Sequence, residues 1–420
     1  MTITRLGLAR ARREMSCLLA GTALLLALTG TTAGTASAST ALGPPPPVLV
    51  KPCVGKKVAG PFTTRGSEVY GKGNVPFVSY GVTVAFSLDA KTWRSGATAK
   101  GDMDEKEIAW AANDWCANTV RIQVNQDLLL PTGGLTNVNV SYLNAIKAEV
   151  LDAQNLGLVV VLNDSTESSA NGGNETGPTL TTFSFWLWMA SIYGSDSAHV
   201  IFDPFNEPRD TNSKMSPTQT WNTWFNGNGS YYGMNELAHW VHFFAPRNLL
   251  WIEGPNFSDS FAGMVPKYLI RLPDVVYAIH HPQGTDDQKN WTTAFGYLHG
   301  DEIPVVEGEW TNFAGGGSGD SACWPNAPTQ VPVYLNSYLT SRHIGLSAYT
   351  LNSGRLLRQQ YVAKTGKKTA ANPLEPTVFP QGKTTIGWSC SPSAYKSPGT
   401  AGTEGAGEAI YDFFKARNQR

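Results

Sequence analysis

Two glutamates follow short apolar runs in this 420-residue chain, and their position makes them candidates for chemistry. Glu207 comes after the run 200–205, and Glu309 comes shortly after the run 303–306. A carboxylic acid paired with a carboxylate can cleave a glycosidic bond, because one group protonates the leaving oxygen while the other attacks the sugar carbon. A separation of about 5–5.5 Å between them predicts retention of configuration at that carbon. The chemistry therefore requires a fold that brings the ends of these two runs together.

A second acid on the later run, Glu307, competes with Glu309 for the attacking role. Side chains two residues apart on a regular strand face the same way, so alternation does not separate the two. In a barrel of parallel strands the chemistry lies at the C-terminal ends of the strands. Glu309 is nearer that end, and we therefore predict that Glu309 is the nucleophile.

The elements needed to position the two acids recur along the chain. Short apolar runs bounded by Pro, Gly and charged residues suit strands that are buried on both faces. Strands are predicted at 77–86, 118–124, 158–162, 200–205, 249–253, 275–280, 303–306 and 344–349. Helices are predicted at 103–115, 142–154, 183–193, 234–244, 261–270, 292–299, 332–341 and 407–417.

This alternation predicts the α/β class and a (β/α)8 TIM barrel with a single catalytic domain. A doubly wound open sheet is the alternative fold. That fold normally carries a glycine-rich phosphate turn after its first strand, which Val82-Thr83-Val84-Ala85 does not supply. Long segments follow the fourth, seventh and eighth strands, at about 210–230, 311–329 and 352–405, and we expect them to shape a substrate cleft.

The first 38 residues have the pattern of a secretory signal peptide. Arg5 and Arg10 give a basic start, the apolar stretch 18–28 is too short to span a bilayer, and Ala36-Ser37-Ala38 fits a signal peptidase site. A membrane anchor is the weaker alternative. We predict a signal peptide at 1–38, an N-terminal extension at 39–76 and the barrel domain at 77–420. The mature protein is expected to be secreted and extracellular, without membrane attachment.

Four cysteines remain after the signal is removed: Cys53, Cys116, Cys323 and Cys390. An even number in a secreted chain predicts two disulfides, with three pairings open. Sequence order favours Cys53–Cys116 and Cys323–Cys390, because each bond then closes a local segment. No C-x-x-C or H-x-x-x-H spacing occurs, so we expect neither a metal site nor a cofactor.

Charge and composition indicate the class of partner. The formal net charge is −1 and the mature chain has no basic run, which argues against nucleic-acid binding. The chain contains 13 Trp, 15 Tyr and 17 Phe, and an aromatic-rich extracellular protein suits a polysaccharide or oligosaccharide substrate. We expect a monomer.

With Asn206-Glu207-Pro208 after the fourth strand and Gly308-Glu309-Trp310 after the seventh, the chain from 77 to 417 resembles glycoside hydrolase family 5. This is a cellulase-like family of retaining (β/α)8 glycosidases. The resemblance implies that Glu207 is the acid/base and Glu309 the nucleophile. It also implies that Arg121, on the second strand, braces the nucleophile and that His280 reaches the cleft from the sixth strand.

Further substrate contacts are predicted beside the two acids. Asn206 is a candidate for bonding a sugar 2-hydroxyl or for holding a carboxylate, and Trp310 is a candidate for stacking on a sugar. Three strand ends depart from the family pattern. The third ends in Asn163 instead of histidine, Pro282 replaces the tyrosine after His280, and Tyr349 stands in for a tryptophan on the eighth.

We therefore expect a secreted, endo-acting retaining β-glycosidase that hydrolyses β-1,4-glucan first and β-mannan second. The alternatives are an exo-acting or glycan-specialised β-glycosidase and a non-catalytic carbohydrate-binding barrel.

Overall fold

The computed structural model describes residues 53, 58–84, 103–166, 175–209, 215–280, 288–311, 327–351, 356–357, 359–360, 376, 378, 401–402 and 405–418. The predicted signal peptide and the predicted pair Cys323–Cys390 lie outside the described residues. The predicted domain boundary at residue 77 stays a prediction.

Eight parallel strands form a closed barrel, which confirms the predicted (β/α)8 fold. Three short antiparallel strands precede it: β1 (Thr63–Arg65), β2 (Glu68–Gly71) and β3 (Val75–Pro76). The barrel strands are β4 (Tyr80–Val84), β5 (Thr119–Val124), β6 (Val159–Asp164), β7 (Val200–Asp203), β8 (Leu250–Glu253), β9 (Val275–Ile279), β10 (Val305–Trp310) and β11 (Gly345–Ala348). Each pairs with the next along the chain, and β11 pairs with β4 to complete the ring.

Helices connect most of the strands, as predicted. The main ones are Met103–Asn113, Val140–Asn155, Leu180–Tyr193, Met234–Phe244, Ala327–Val333 and Gly407–Asn418, with π-helical turns at Thr292–Gly296 and Tyr334–Leu339. Short helices lie at Gln126–Leu129, Gln288–Trp291 and Tyr297–Gly300.

The helix predicted at 261–270 was wrong, because turns occupy this part of the described chain. Gly263 adopts φ +85°, and Pro266 has no N–H to offer a helix. A helix missed by the prediction, Pro217–Asn226, lies in the segment expected to be a long loop. Its start is visible in the sequence, because Ser216 and Gln219 form a capping box around Pro217.

The N-terminal end of the barrel interior is filled with apolar side chains. Alternate strand positions point inward, and those nearest the strand starts form one buried cluster. The cluster consists of Val159, Val161, Ile201, Leu249, Trp251, Val276, Ala278 and Val306, together with Phe62 and Phe77 from the segment before the barrel. The two phenylalanine rings lie 4.4 Å apart between centroids, so residues before β4 close this end of the barrel.

A disulfide joins Cys53 to Cys116, which confirms one of the two predicted pairs. It ties the segment before β1 to the turn that leads into β5. None of the helices in the described parts of the chain has both the length and the apolarity needed to cross a bilayer.

Candidate active site

The two predicted catalytic acids meet at the C-terminal end of the barrel. Glu207 follows β7, Glu309 lies near the end of β10, and His280 directly follows β9. One side-chain ligand atom from each of the three lies within 4.8 Å of the others. The carboxylates of Glu207 and Glu309 are 13% and 17% exposed, so a substrate can reach both. The strand order thus brings together two residues separated by about a hundred positions in sequence.

Arg121, on β5, organises the interior beside Glu309. Its Nη1 donates to Glu309 Oε2 at 3.0 Å, and its Nε donates to Asp203 Oδ2 at 2.9 Å. Its Nη2 donates to Asn206 Oδ1 at 2.6 Å and to Glu253 Oε1 at 2.8 Å. The guanidinium is fully buried, and these acceptors take up four of its five N–H donors, with three carboxylates facing its charge. The expected bracing of Glu309 by Arg121 is therefore present in the structure.

The charges around Arg121 balance one another inside the barrel. Burial alone would lower the pKa of Arg121, but the carboxylates of Asp203, Glu253 and Glu309 raise it above its ordinary value. The guanidinium therefore stays charged. Burial raises the pKa of Asp203 to about 7, with help from the charge of Glu253 and against the opposing effect of Arg121. Asp203 is thus a buried acid that takes up a proton near neutral pH.

Glu253, at the end of β8, connects the acid/base residue to the rest of the site. Its Oε2 accepts from the backbone N–H of Glu207 at 2.6 Å, and its Oε1 lies 3.2 Å from His280 Nε2. Glu207 itself has φ +44°, a left-handed backbone conformation that costs free energy in a residue with a side chain. Burial alone would raise the pKa of Glu253, but His280 and Arg121 together lower it. An ionised Glu253 thus holds the strained peptide of Glu207.

His280 contacts the acid/base residue directly. Its Nδ1 lies 3.0 Å from Glu207 Oε1. Burial alone would lower the pKa of His280, but Glu253, Glu207 and Glu309 raise it well above its ordinary value. The imidazole is therefore cationic at neutral pH, with both ring nitrogens able to donate, as its position between two carboxylates requires.

Asn206 is 2% exposed and acts inside this network. Its Oδ1 accepts from Arg121 and lies 3.4 Å from Gln123 Nε2. The same Gln123 nitrogen donates to Glu309 Oε2 at 3.2 Å. Gln123 and Arg121 occupy alternate positions on β5, so one strand supplies two donors to the same carboxylate oxygen. Two roles were considered for Asn206: bonding a sugar hydroxyl, or holding the catalytic groups in place. The observed contacts with Arg121 and Gln123 correspond to the second role.

A β-bulge in β10 separates Glu307 from Glu309. The residues Glu307 and Trp310 pair with Leu346 and Ala348 of β11, so three steps on β10 face two on its neighbour. The extra residue reverses the alternation. Glu309 therefore meets Arg121 inside the barrel, whereas Glu307 is buried on the outer side and accepts a hydrogen bond from the Tyr334 hydroxyl. The premise that both acids face the same way was wrong. Of the two, Glu309 contacts Arg121 inside the barrel, and this contact supports its selection as the nucleophile.

The two predicted aromatic contacts have different positions. Because of the bulge, the side chain of Trp310 lies on the outer side of the barrel. It is 2% exposed and packs against Tyr334, with 5.4 Å between the ring centroids. The structure does not bring it to the site, which corrects its expected place on a sugar face. Tyr349 lies at the barrel end, partly buried, with its backbone N–H bonded to the carbonyl of Trp310 at 2.8 Å. Its predicted role in substrate binding stays a prediction.

The third barrel strand ends in buried polar groups where the family often has a histidine. Asn163 lies with its Nδ2 3.5 Å from the carbonyl of Asp203. Asp164 accepts from the backbone N–H of Gln126 at 3.1 Å. Burial, and next the charge of Asp127, raise the pKa of Asp164 well above its ordinary value. The end of β6 therefore contributes the amide of Asn163 and the carboxyl group of Asp164.

Sequence reasoning did not select Gln123, Asp203 or Glu253. The signal was present in the alternation of β7 and β8. The inward positions run from Ile201 to Asp203 and from Leu249 through Trp251 to Glu253. A polar residue at the last inward position of a strand therefore marks this site.

Comparisons with known proteins identify the family and the fold. The family model for Cellulase (glycosyl hydrolase family 5) matches residues 82–354. No curated protein matches the chain.

Solved structures show the same fold at low sequence identity. A β-glucanase from Saccharophagus degradans in complex with cellotetraose is 17% identical, with a TM-score of 0.54 over 73% of this chain and 89% of that one. An endocellulase from the archaeon Pyrococcus horikoshii is 16% identical, with a TM-score of 0.53 over 86% and 100%. A β-mannanase from Thermomonospora fusca is 12% identical, with a TM-score of 0.50 over 70% and 84%.

Proposed function

Because the chain belongs to glycosyl hydrolase family 5, the cellulase family, and is therefore a glycoside hydrolase, we propose that it cleaves a β-linked polysaccharide by double displacement with retention of configuration. The observation that carries this proposal is the approach of Glu207, Glu309 and His280 to within 4.8 Å at the barrel end. An inverting pair is held about 6.5–9.5 Å apart to admit a water molecule. One oxygen of each carboxylate lies within 4.8 Å of the other, and this approach supports the carboxyl separation of about 5–5.5 Å of a retaining pair, in which a carboxylate attacks directly.

In the first step, Glu207 donates its proton to the glycosidic oxygen as the bond from that oxygen to the anomeric carbon breaks. The Glu309 carboxylate bonds to the same carbon, which gives a glycosyl-enzyme. In the second step, Glu207 takes a proton from water, whose oxygen displaces Glu309. The charge of Arg121 and the amide of Gln123 hold the Glu309 carboxylate in place between these steps.

We propose β-1,4-glucan as the first substrate and β-mannan as the second, with cleavage inside the polymer. The endocellulase and β-mannanase that share the fold support testing these two polymers first. An exo-acting or glycan-specialised enzyme would release one small product from the chain end instead of a range of oligosaccharides. Secretion is likewise proposed, from the signal pattern at 1–38. If the signal peptide is removed after Ala38, the N-terminal sequence of the exported protein begins at residue 39.

Azide rescue of the Glu309→Ala variant tests the mechanism. Azide should restore cleavage of an aryl β-glycoside and give the inverted α-glycosyl azide, identified by NMR, because the small anion fills the space of the missing carboxylate. The matched control is Glu307→Ala, whose lost carboxylate faces away from the site. Absence of any azide adduct from Glu309→Ala, or wild-type turnover by that variant, would exclude this role for Glu309.

A further inference from the structure

We infer that Glu207, His280 and Glu309 together form a binding site for one Zn²⁺ ion, which blocks both acids and inhibits the enzyme reversibly. We call these three residues the catalytic trio. The binding of the ion goes beyond the proposed function, whereas the inhibition rests on it.

The catalytic trio has the composition of a zinc site. One ligand atom from each residue lies within 4.8 Å of the other two, and no second group of His, Cys, Asp or Glu in the described part of the chain meets this condition. Zn²⁺ accepts imidazole nitrogens and carboxylate oxygens at about 2.0–2.2 Å. Three protein ligands with an open fourth position are the usual arrangement of zinc sites that solvent can reach.

The spacing of the ligand atoms is close to what one ion requires. Two ligands of a tetrahedral Zn²⁺ lie about 3.4 Å apart, which follows from bond lengths of about 2.0–2.1 Å. His280 Nδ1 and Glu207 Oε1 are already 3.0 Å apart. The third ligand atom lies no more than 4.8 Å from either, so a shift of about 1.5 Å in the partly exposed Glu309 carboxylate completes the set.

The groups behind the catalytic trio hold its side chains in place. On the other side of the imidazole ring, His280 Nε2 lies 3.2 Å from Glu253 Oε1. A carboxylate in this position fixes the ring of a metal-bound histidine and makes it a stronger ligand. Glu309 is also held, since Arg121 and Gln123 both donate to its Oε2. The outer contacts on which metal sites depend are therefore present around these ligands.

The charges around the catalytic trio favour a dication. Ion pairs join four carboxyl groups and only two cationic groups in this part of the described structure: Asp203, Glu207, Glu253 and Glu309, with Arg121 and His280. A dication compensates this excess of negative charge in a region that water screens little. The ion replaces the proton on His280 Nδ1, which passes to the solvent.

The sequence did not indicate this site because its ligands come from three strands. Metal motifs are recognised by short spacings along one element, and the expectation of no metal site rested on the absence of such spacings. Glu207 follows β7, His280 follows β9 and Glu309 lies on β10. Only the closed barrel brings the three together.

A bound ion blocks both steps of the proposed reaction. A Glu309 oxygen bonded to Zn²⁺ cannot attack the sugar carbon, and a metal-bound Glu207 carries no proton for the leaving oxygen. The substrate and the ion therefore exclude each other, and the inhibition is competitive.

Equilibrium dialysis of the purified protein against Zn²⁺ tests the binding. We expect one tight ion per molecule, bound at least about 100-fold more tightly than Mg²⁺, which prefers oxygen ligands and keeps its water. Glu309→Gln removes a ligand and should weaken Zn²⁺ binding about 100-fold or more. Glu253→Gln should weaken it about 10–100-fold, because this carboxylate orients His280.

The matched control is the double variant His239→Gln/His242→Gln. These two histidines lie one turn apart on the helix Met234–Phe244, outside the catalytic trio. The double variant should bind Zn²⁺ as wild type does. Equal Zn²⁺ affinity of wild type and Glu309→Gln, or loss of the tight ion from the double variant, would overturn the site.

Steady-state kinetics on an aryl β-glycoside tests the inhibition. Zn²⁺ should raise the apparent KM of wild type and of the double variant without changing kcat, and EDTA should restore the rate. A fall in kcat at unchanged KM would contradict binding at the catalytic trio. If wild type cleaves no glycoside, the proposed function fails, and the dialysis measurement still decides whether the catalytic trio binds the ion.

Discussion

The two ends of the barrel interior are filled in opposite ways by the same strands. On β8, Leu249 and Trp251 belong to the apolar cluster at the N-terminal end, and the next inward residue is Glu253. On β7 the same change occurs between Ile201 and Asp203. Each strand therefore contributes stability with its first inward residues and chemistry with its last.

The difference has an energetic reason. Burying apolar surface stabilises the fold by about 25 cal/mol per Å². Burying charges costs free energy, which a network such as the one around Arg121 offsets only partly. The apolar end thus allows the other end to hold charged groups in arrangements that do not favour folding. If this division is correct, substitutions at the two ends should separate activity from stability.

The largest expected effect is that of Glu309→Gln at the charged end. An uncharged amide cannot form the glycosyl-enzyme, so kcat should fall about 10⁴-fold or more on an aryl β-glycoside. The free energy of unfolding, measured with urea, should change by less than about 1 kcal/mol. The control Glu307→Gln should behave in the opposite way, with kcat retained and stability lowered by about 1–3 kcal/mol through its buried contact with Tyr334. Loss of kcat in Glu307→Gln alone would reverse the assignment.

At the apolar end, Phe62→Ala should lower the free energy of unfolding by about 3–5 kcal/mol, because a fully buried ring leaves a cavity. The kcat at a temperature where the variant is folded should equal that of wild type. Phe62→Leu, which fills most of the space, should lose less. A kcat that falls in proportion to stability would show that the two ends are coupled.

Glu253→Gln tests the link between the acid/base residue and its support. Loss of the charge should lower the pKa of His280, because Glu253 is its strongest favourable neighbour. We expect kcat to fall about 100-fold from misplacement of Glu207. NMR titration of the imidazole measures the first effect and steady-state kinetics the second. An unchanged histidine titration together with full kcat would contradict the positioning role.

The smallest effect concerns stability and pH at Asp203. Its pKa is raised from 3.8 to about 7 in the folded protein, so the folded state binds a proton more tightly than the unfolded chain. Its contribution to stability is therefore greatest at low pH and declines as pH rises from about 4 to about 7. In Asp203→Asn this decline should be absent, so the variant should gain on the order of 2 kcal/mol relative to wild type between pH 4.5 and pH 8. Urea titrations of the two proteins at both pH values measure their free energies of unfolding. A difference between these free energies that did not vary with pH would rule out this account.

Much of this arrangement could be predicted from the sequence. The barrel follows from eight apolar runs alternating with helical patterns, and the Cys53–Cys116 bond follows from sequence order. Arg121 was predicted beside Glu309 because the resemblance to the family placed it there, and the contact is observed. Asp203 and Glu253 were missed because their strands were treated as uniformly apolar, although alternation within each strand marks both.

Other features were decided only by the tertiary structure. The sequence by itself determined that the seventh barrel strand ends in two acids, Glu307 and Glu309, near a tryptophan. The extra residue in β10 relative to β11 determined that one acid faces Arg121 inside the barrel and that the other faces Tyr334 outside it. A bulge is a property of two paired strands, and the register of the neighbour cannot be read from one strand alone. The same extra residue turned Trp310 away from the site where its position in the motif had suggested a sugar contact.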